Sequence, residues 1–279
     1  MLREARVPSI PGPLLEMRAI VGRAYVRVVG VNRDPVALAI EVTLPLFTVS
    51  SLALLYRSLA APPSYLGYVI LGGAMTAYWL NVLWGMASTF YFEKQSGNLP
   101  LYLMAPMSRL SILAGMALGG MFTTTLRAVV SATIGCFLFG VTIDLRSAGA
   151  ATCVFALTLA ALYGLGMMTA SLFLLWGREA YHLSNLLQEP IYLLAGFYFP
   201  VRSLGAVAST FAGFLPITLG LDAMRQLLFS RPGDGLLPVD ASIALLAIQS
   251  VVYIYLACRM LDYMEWVSRH RGTLTTRYQ

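Results

Sequence analysis

Residues 148–176 read AGAATCVFALTLAALYGLGMMTASLFLLW, a run without one charged side chain. A helix rises about 1.5 Å per residue and a hydrocarbon core is about 30 Å thick, so the run is long enough to cross a bilayer. On either side, similar apolar runs occupy about 36–59, 65–92, 110–140, 183–200 and 239–262. Pro62 and Pro63, the polar segment 93–109, Asp144 to Ser147, and Gly177, Arg178 and Glu179 separate them. The expected fold is all-α and polytopic, with six transmembrane helices.

Composition agrees. The 279 residues are 58% hydrophobic and 11% charged, with a mean hydropathy of +0.72, against about 25% charged residues in soluble domains. A water-soluble domain is excluded. The net charge of +6 does not imply nucleic acid, because the arginines flank apolar spans, where anionic lipid headgroups are their natural partners.

Residues 14–34, wound at 100° per residue, place Glu16, Arg23, Arg27, Gly30 and Asp34 on one face and Leu14, Met17, Val21, Ala24, Tyr25 and Val28 opposite. This is an amphipathic helix expected in the inner headgroup layer, its arginines among lipid phosphates. The first long apolar run begins only near Pro35, after several arginines, which argues against a secretory signal. With the N-terminus inside, the inner segments hold 13 Lys/Arg and the outer ones 5. That asymmetry favours a multi-pass protein of the cytoplasmic membrane with both termini cytoplasmic. The expected organisation is a cytoplasmic N-terminus over 1–34, a six-helix membrane domain over 35–262, and a cytoplasmic tail over 263–279. Residues 201–229 are too apolar for a solvated loop, yet Pro216 and several glycines interrupt them. An outer re-entrant helical hairpin reconciles both facts.

The most informative polar segment is 91–109, YFEKQSGNLPLYLMAPMSR. Its charge, its glycine, and an apolar stretch bracketed by Pro100 and Pro106 suggest a short helix parallel to the membrane, offering Leu101, Tyr102 and Met104 to a partner.

This segment resembles the acidic, glycine, leucine-rich, proline, Ser-Arg signature of the type-2 ABC exporter permeases (daunorubicin-resistance, nodulation-factor and polysaccharide exporters). The matching residues are Glu93, Gly97, Leu99, Ala105, Pro106, Ser108 and Arg109; Asn98 and Pro100 depart from the commoner threonine and acidic residue. The resemblance implies a coupling helix over 93–109, including Leu101 and Tyr102, that seats in an ATPase subunit. A second stretch, LLAGFYFP over 193–200, with Pro216 and 221–225 after it, resembles the family's fifth span and outer re-entrant helices. The resemblance further implies a second permease chain, identical or related, and export of an amphipathic drug, lipid or glycan. ATP and magnesium would belong to the partner ATPase, with no cofactor in this chain.

A P-loop needs GxxxxGK[ST], and the only lysine, Lys94, lacks those preceding glycines. The chain is therefore expected to be a transport subunit without its own ATPase motif. Ionisable residues at membrane depth are functional candidates: Glu41, Arg127, Glu189, and Asp222 with Arg225, which are spaced to pair on a helix. Arg127 is the expected intramembrane charge. Glu189, Pro190, Phe197, Tyr198, Phe199 and Pro216 form the expected pathway and gate. Gly115 with Gly119, and Gly164 with Gly166, are read as helix-packing sites. Cys136, Cys153 and Cys258 lack metal or disulfide spacing and are read as small buried hydrophobes; His182 and His270 are read as solvated. No hydrolase constellation is present. An ion-coupled secondary transporter and a membrane-anchored assembly protein are the alternatives, the former disfavoured by the lack of an inverted repeat.

Overall fold

The computed structural model describes residues 12–87, 93, 96–97, 108–176, 178–229 and 235–271. It consists of α1 (Pro13–Val31), α2 (Pro35–Ser58), α3 (Ser64–Leu80) continuing as a π-helical stretch (Asn81–Ala87), and α4 (Arg109–Phe139). Then follow α5 (Ala148–Trp176), α6 (Arg178–Ala195), α7 (Ala206–Ala212), α8 (Pro216–Leu228) and α9 (Val239–Arg271), with single 3-10 turns at Leu145–Ser147 and Val201–Leu204. No strand occurs among the described residues.

Local chemistry sets the boundaries. Asp34 accepts from the Val36 N–H at 2.9 Å at the start of α2, and the Ser108 side chain caps α4 by accepting from the Ser111 N–H at 3.1 Å. Gly140 and Gly196 take left-handed backbone, φ +64° and +62°, just beyond the ends of α4 and α6, where only glycine avoids a steric penalty.

Five stretches are long and apolar enough to cross a membrane: Leu38–Ser58, Ser64–Ala87, Leu110–Phe139, Ala148–Ser171 and Val239–Tyr263. The helix pair α7 and α8, bent by 106°, counts as a sixth if taken as one span. That pair occupies the interval expected for the re-entrant hairpin. The expected fifth span, 183–200, falls on α6, which is not among these stretches: it begins in the charged Arg178 and Glu179 and stops at Ala195, where Gly196 turns the chain.

Within Ser64–Ala87, 67% of the residues of its most apolar window are buried, and this stretch forms the axis of the bundle; in Leu38–Ser58 the share is 11%, and that helix lies at the outside. Met75, Tyr78, Trp79, Val82 and Met86 of the axis pack against Leu113, Leu162, Phe197 and Leu219. Glycines bring helices together. A Cβ at Gly166 would lie 2.6 Å from Val82, and one at Gly164 would lie 3.2 Å from Ile254. Phe47, Phe122, Phe137, Val251 and Tyr255 are exposed on the outer surface, as a lipid solvent allows.

Two expectations are corrected. Cys136 and Cys258 are half-buried but Cys153 is exposed on α5, because an apolar environment outside the chain removes any need to bury a thiol. The amphipathic helix α1 is present but turned around: Leu14, Met17, Val21 and Tyr25 are exposed, as is Arg18, while Glu16, Arg23 and Arg27 of the polar face pack on the protein. The lipid takes the apolar face, and Arg23 finds its partner inside.

Candidate functional site

One end of the bundle carries α1, the last turns of α3 and α5, and the start of α4 and α6. Here α1 lies along α4, and the spacing of Gly115 and Gly119 makes the seat. A Cβ at Gly115 would lie 2.6 Å from the Ile20 carbonyl oxygen, and one at Gly119 would lie 2.9 Å from that of Ala24. The sequence reading placed these glycines at a helix contact; the structure identifies the contact as α1.

Three side chains of α1 face that seat. Glu16 accepts from the Ser108 hydroxyl at 2.7 Å and the Ser108 N–H at 3.3 Å, and also from the Ser111 hydroxyl. Arg23 pairs with Glu93 at 2.7 Å. Arg27 reaches between Gly85 of the π-helical stretch and Gly120 of α4, beside Asn81. Burial lowers the Arg27 guanidinium below its ordinary range, and the neighbouring Arg23 and Arg127 add to the effect while Tyr163 opposes it. Asn81 in turn accepts from the Tyr163 hydroxyl at 3.0 Å, and Trp84 donates to Gln188 of α6 at 2.9 Å. The π-helical stretch therefore links α1, α5 and α6.

Of the expected coupling residues, Glu93 and Ser108 are brought to α1 from the two ends of the segment. Gly97 turns the chain with φ +74°. Leu99, Leu101, Tyr102, Ala105 and Pro106 lie outside the described residues, and Arg109 is described only as the first residue of α4. Arg127 ion-pairs with Glu41, joining α4 to α2.

The opposite end contains the expected gate. The 196–199 turn after α6 exposes four successive carbonyls that no helix satisfies. Arg225 of α8, 2% exposed, donates to the oxygens of Gly196 at 2.8 Å, Phe197 at 2.6 Å and Phe199 at 3.1 Å, and to that of Tyr68 at 3.3 Å. Its guanidinium also lies 4.9 Å from the centre of the Tyr68 ring. The Tyr198 carbonyl accepts from the Tyr56 hydroxyl at 3.0 Å. Gly72 admits the Phe197 carbonyl against α3. All four carbonyls thus have a side-chain donor.

The expected pairing of Asp222 with Arg225 is not formed. Asp222 accepts from the Leu236 N–H at 2.6 Å and from Gln226 at 3.1 Å, fixing the approach to α9. With the Asp222 carboxylate taken by Leu236 and Gln226, the guanidinium meets the carbonyls beyond the end of α6 instead. Phe197 and Pro216 are buried, Tyr198 and Phe199 half-buried, and Glu189 and Pro190 exposed on α6, so the expected gate residues fall into three environments. His182 is exposed, as read; the His270 side chain is outside those described. Sequence reasoning missed the roles of Glu16, Tyr56 and Asn81. Only the polar side of α1 carried any signal for them.

The family model for ABC-2 type transporters matches residues 19–229, running from the middle of α1 through the end of α8. The chain belongs to the ABC-2 type transporter family. It is accordingly a membrane-spanning permease component of an ABC-type transporter. No curated protein sequence matches it. The family match covers the Arg225 clamp at one end and, at the other, the α1 seat apart from Glu16.

Proposed function

We propose that this permease exports an amphipathic substrate, of drug, lipid or glycan type, using ATP hydrolysed by a separate P-loop subunit that docks on residues 93–109. The observation that carries the reading is the attachment of both ends of that segment to α1, through Glu93 to Arg23 and through Ser108 to Glu16. A docked partner moving the segment would move α1 and α4 with it, and the π-helical stretch through Arg27 and Asn81. The α1 end is then cytoplasmic, consistent with the 13 to 5 distribution of basic residues.

Two permease chains and two ATPase chains make the transporter, with nucleotide and magnesium held by the ATPase. ATP-driven closure of the ATPases alternates the pathway between inward- and outward-facing states, the 196–199 turn and Pro216 lying at its outer end. The sparse charge of the spans suits an amphipathic cargo. An ion-coupled carrier needs a carboxylate free to load and release a proton at membrane depth; the Arg127 pair and the Leu236 bond occupy Glu41 and Asp222, which leaves Glu189 of α6 for that role. Replacing both Leu101 and Tyr102 with aspartate tests the docking: the variant should fold and reach the membrane but no longer copurify with a P-loop ATPase. Copurification at the wild-type level refutes the docking site.

A further inference from the structure

Three arginines meet where α1 crosses α3 and α4, and among the described residues two carboxylates answer them. Arg23 is paired with Glu93 and Arg127 with Glu41. Arg27, close enough to both arginines to feel their charge, has no ion-pair or hydrogen-bond partner among the described residues, and its buried Nε is unsatisfied. The Arg127 Nε and Nη2 are also buried and unsatisfied. A half-buried guanidinium left without an acceptor costs stability unless something supplies one.

The surroundings of Arg27 gather donors. On the face of Gly85, the Arg27 Nη2 and the Asn81 Nδ2 converge, the latter 3.1 Å from where a Cβ would stand. The Asn81 oxygen already accepts from the Tyr163 hydroxyl, so its amide nitrogen is oriented as a donor toward that face. Met17, Val21 and Tyr25 are exposed, so α1 itself borders the lipid and Arg27 lies beneath it. A guanidinium fork beside an amide donor matches the oxygens of a phosphodiester.

We propose that Arg27, with Asn81, binds the phosphate of an anionic phospholipid from the surrounding leaflet, held as a resident ligand between α1 and the π-helical stretch of α3. The lipid supplies the missing counter-charge at the junction that joins the N-terminal helix to the bundle.

The test uses the full-length permease purified from membranes and exchanged into nanodiscs of phosphatidylcholine containing a minor fraction of phosphatidylglycerol. Lipids retained after delipidating washes are counted by native mass spectrometry. Wild type should retain phosphatidylglycerol over phosphatidylcholine, and Arg27→Gln should lose that preference by about tenfold or more, the scale of a charge-assisted hydrogen bond. Gly85→Ala keeps the charge but crowds Nη2, and should weaken retention too, so the test stands even if Arg27→Gln folds poorly. Arg33→Gln, exposed beyond α1, should leave retention unchanged. Equal retention by wild type and Arg27→Gln, or equal loss in Arg33→Gln, overturns the proposal. If inorganic phosphate displaces the lipid as readily as excess phosphatidylglycerol does, the niche is a free-anion site and the lipid assignment fails.

Discussion

Arg225→Gln removes a guanidinium that donates to four carbonyls at 2.6 to 3.3 Å, those of Tyr68, Gly196, Phe197 and Phe199. A hydrogen bond involving a charged group contributes about 1.5–3 kcal/mol, and a buried acceptor left bare costs about 1–3 kcal/mol. Four such terms do not add independently, because the turn relaxes once the first is lost. Breaking a buried charged network by removing one side costs about 3–5 kcal/mol, and that is the expected loss. Glutamine offers one amide on a shorter chain and recovers little. Arg225→Lys keeps the charge, but a single ammonium cannot span acceptors on α3 and on the turn, so about half the loss should remain. The assay is unfolding of the purified permease by SDS titration in mild detergent, followed by tryptophan fluorescence. A cysteine at Phe199 in a cysteine-free background should also react faster with an impermeant thiol reagent when Arg225 is replaced. If Arg225→Gln unfolds within about 1 kcal/mol of wild type, below any of the mechanisms invoked, the clamp is not what holds the turn.

Gly119→Leu should lift α1 from α4, since its Cβ alone would lie 3.0 Å from Arg27 Cβ; overpacking of about 1–3 kcal/mol and faster proteolysis of α1 are expected. Gly149→Ala, where an added carbon meets nothing, serves as the neutral control. Glu93→Gln breaks a pair that is partly exposed on both sides, so stability should change by about 1 kcal/mol or less while ATP-driven transport falls. The exchange of Arg23 for glutamate with Glu93 for arginine should restore part of it, as a purely local role for Glu93 would not. Phe197→Ala empties a fully buried site packed on Tyr192 and Tyr198 and should cost about 3–5 kcal/mol in the unfolding assay. Phe199→Ala, half-buried, should cost less and alter substrate-stimulated ATP hydrolysis without loss of the ATPase; wild-type hydrolysis in that variant removes Phe199 from the gate.

The long uncharged runs made the spans readable, because a backbone in hydrocarbon must satisfy its own hydrogen bonds and a helix does so within one segment. The amphipathic character of α1 was equally plain in its 3.6-residue period. Its orientation was not: the same pattern serves a helix whose polar face meets headgroups and one whose polar face meets protein. The choice falls to Glu93, Ser108 and Ser111, which are distant in sequence and offer Arg23 and Glu16 fixed partners. The same competition decided Arg225, whose spacing from Asp222 allowed a pair on one helix while the 196–199 carbonyls supplied a better site from another. Gly196 was legible as part of an aromatic motif but not as the stop of α6, since its left-handed backbone depends on the turn that follows. Nothing in the sequence announces the π-helical stretch, which adds a residue to a turn without changing composition.

The central claim is that an ATPase docks at the end of the permease where α1, Glu93 and Ser108 meet. A photoreactive amino acid at Ser96, exposed in the turn beside Gly97, and another at Ser203, exposed after the 196–199 turn, test it in one experiment on the complex in native membranes. The account predicts a cross-link from position 96 to a P-loop ATPase, lost when Leu101 and Tyr102 are both aspartate, and none from position 203. A cross-link to the ATPase from position 203, or its persistence at position 96 in the double aspartate variant, contradicts the account.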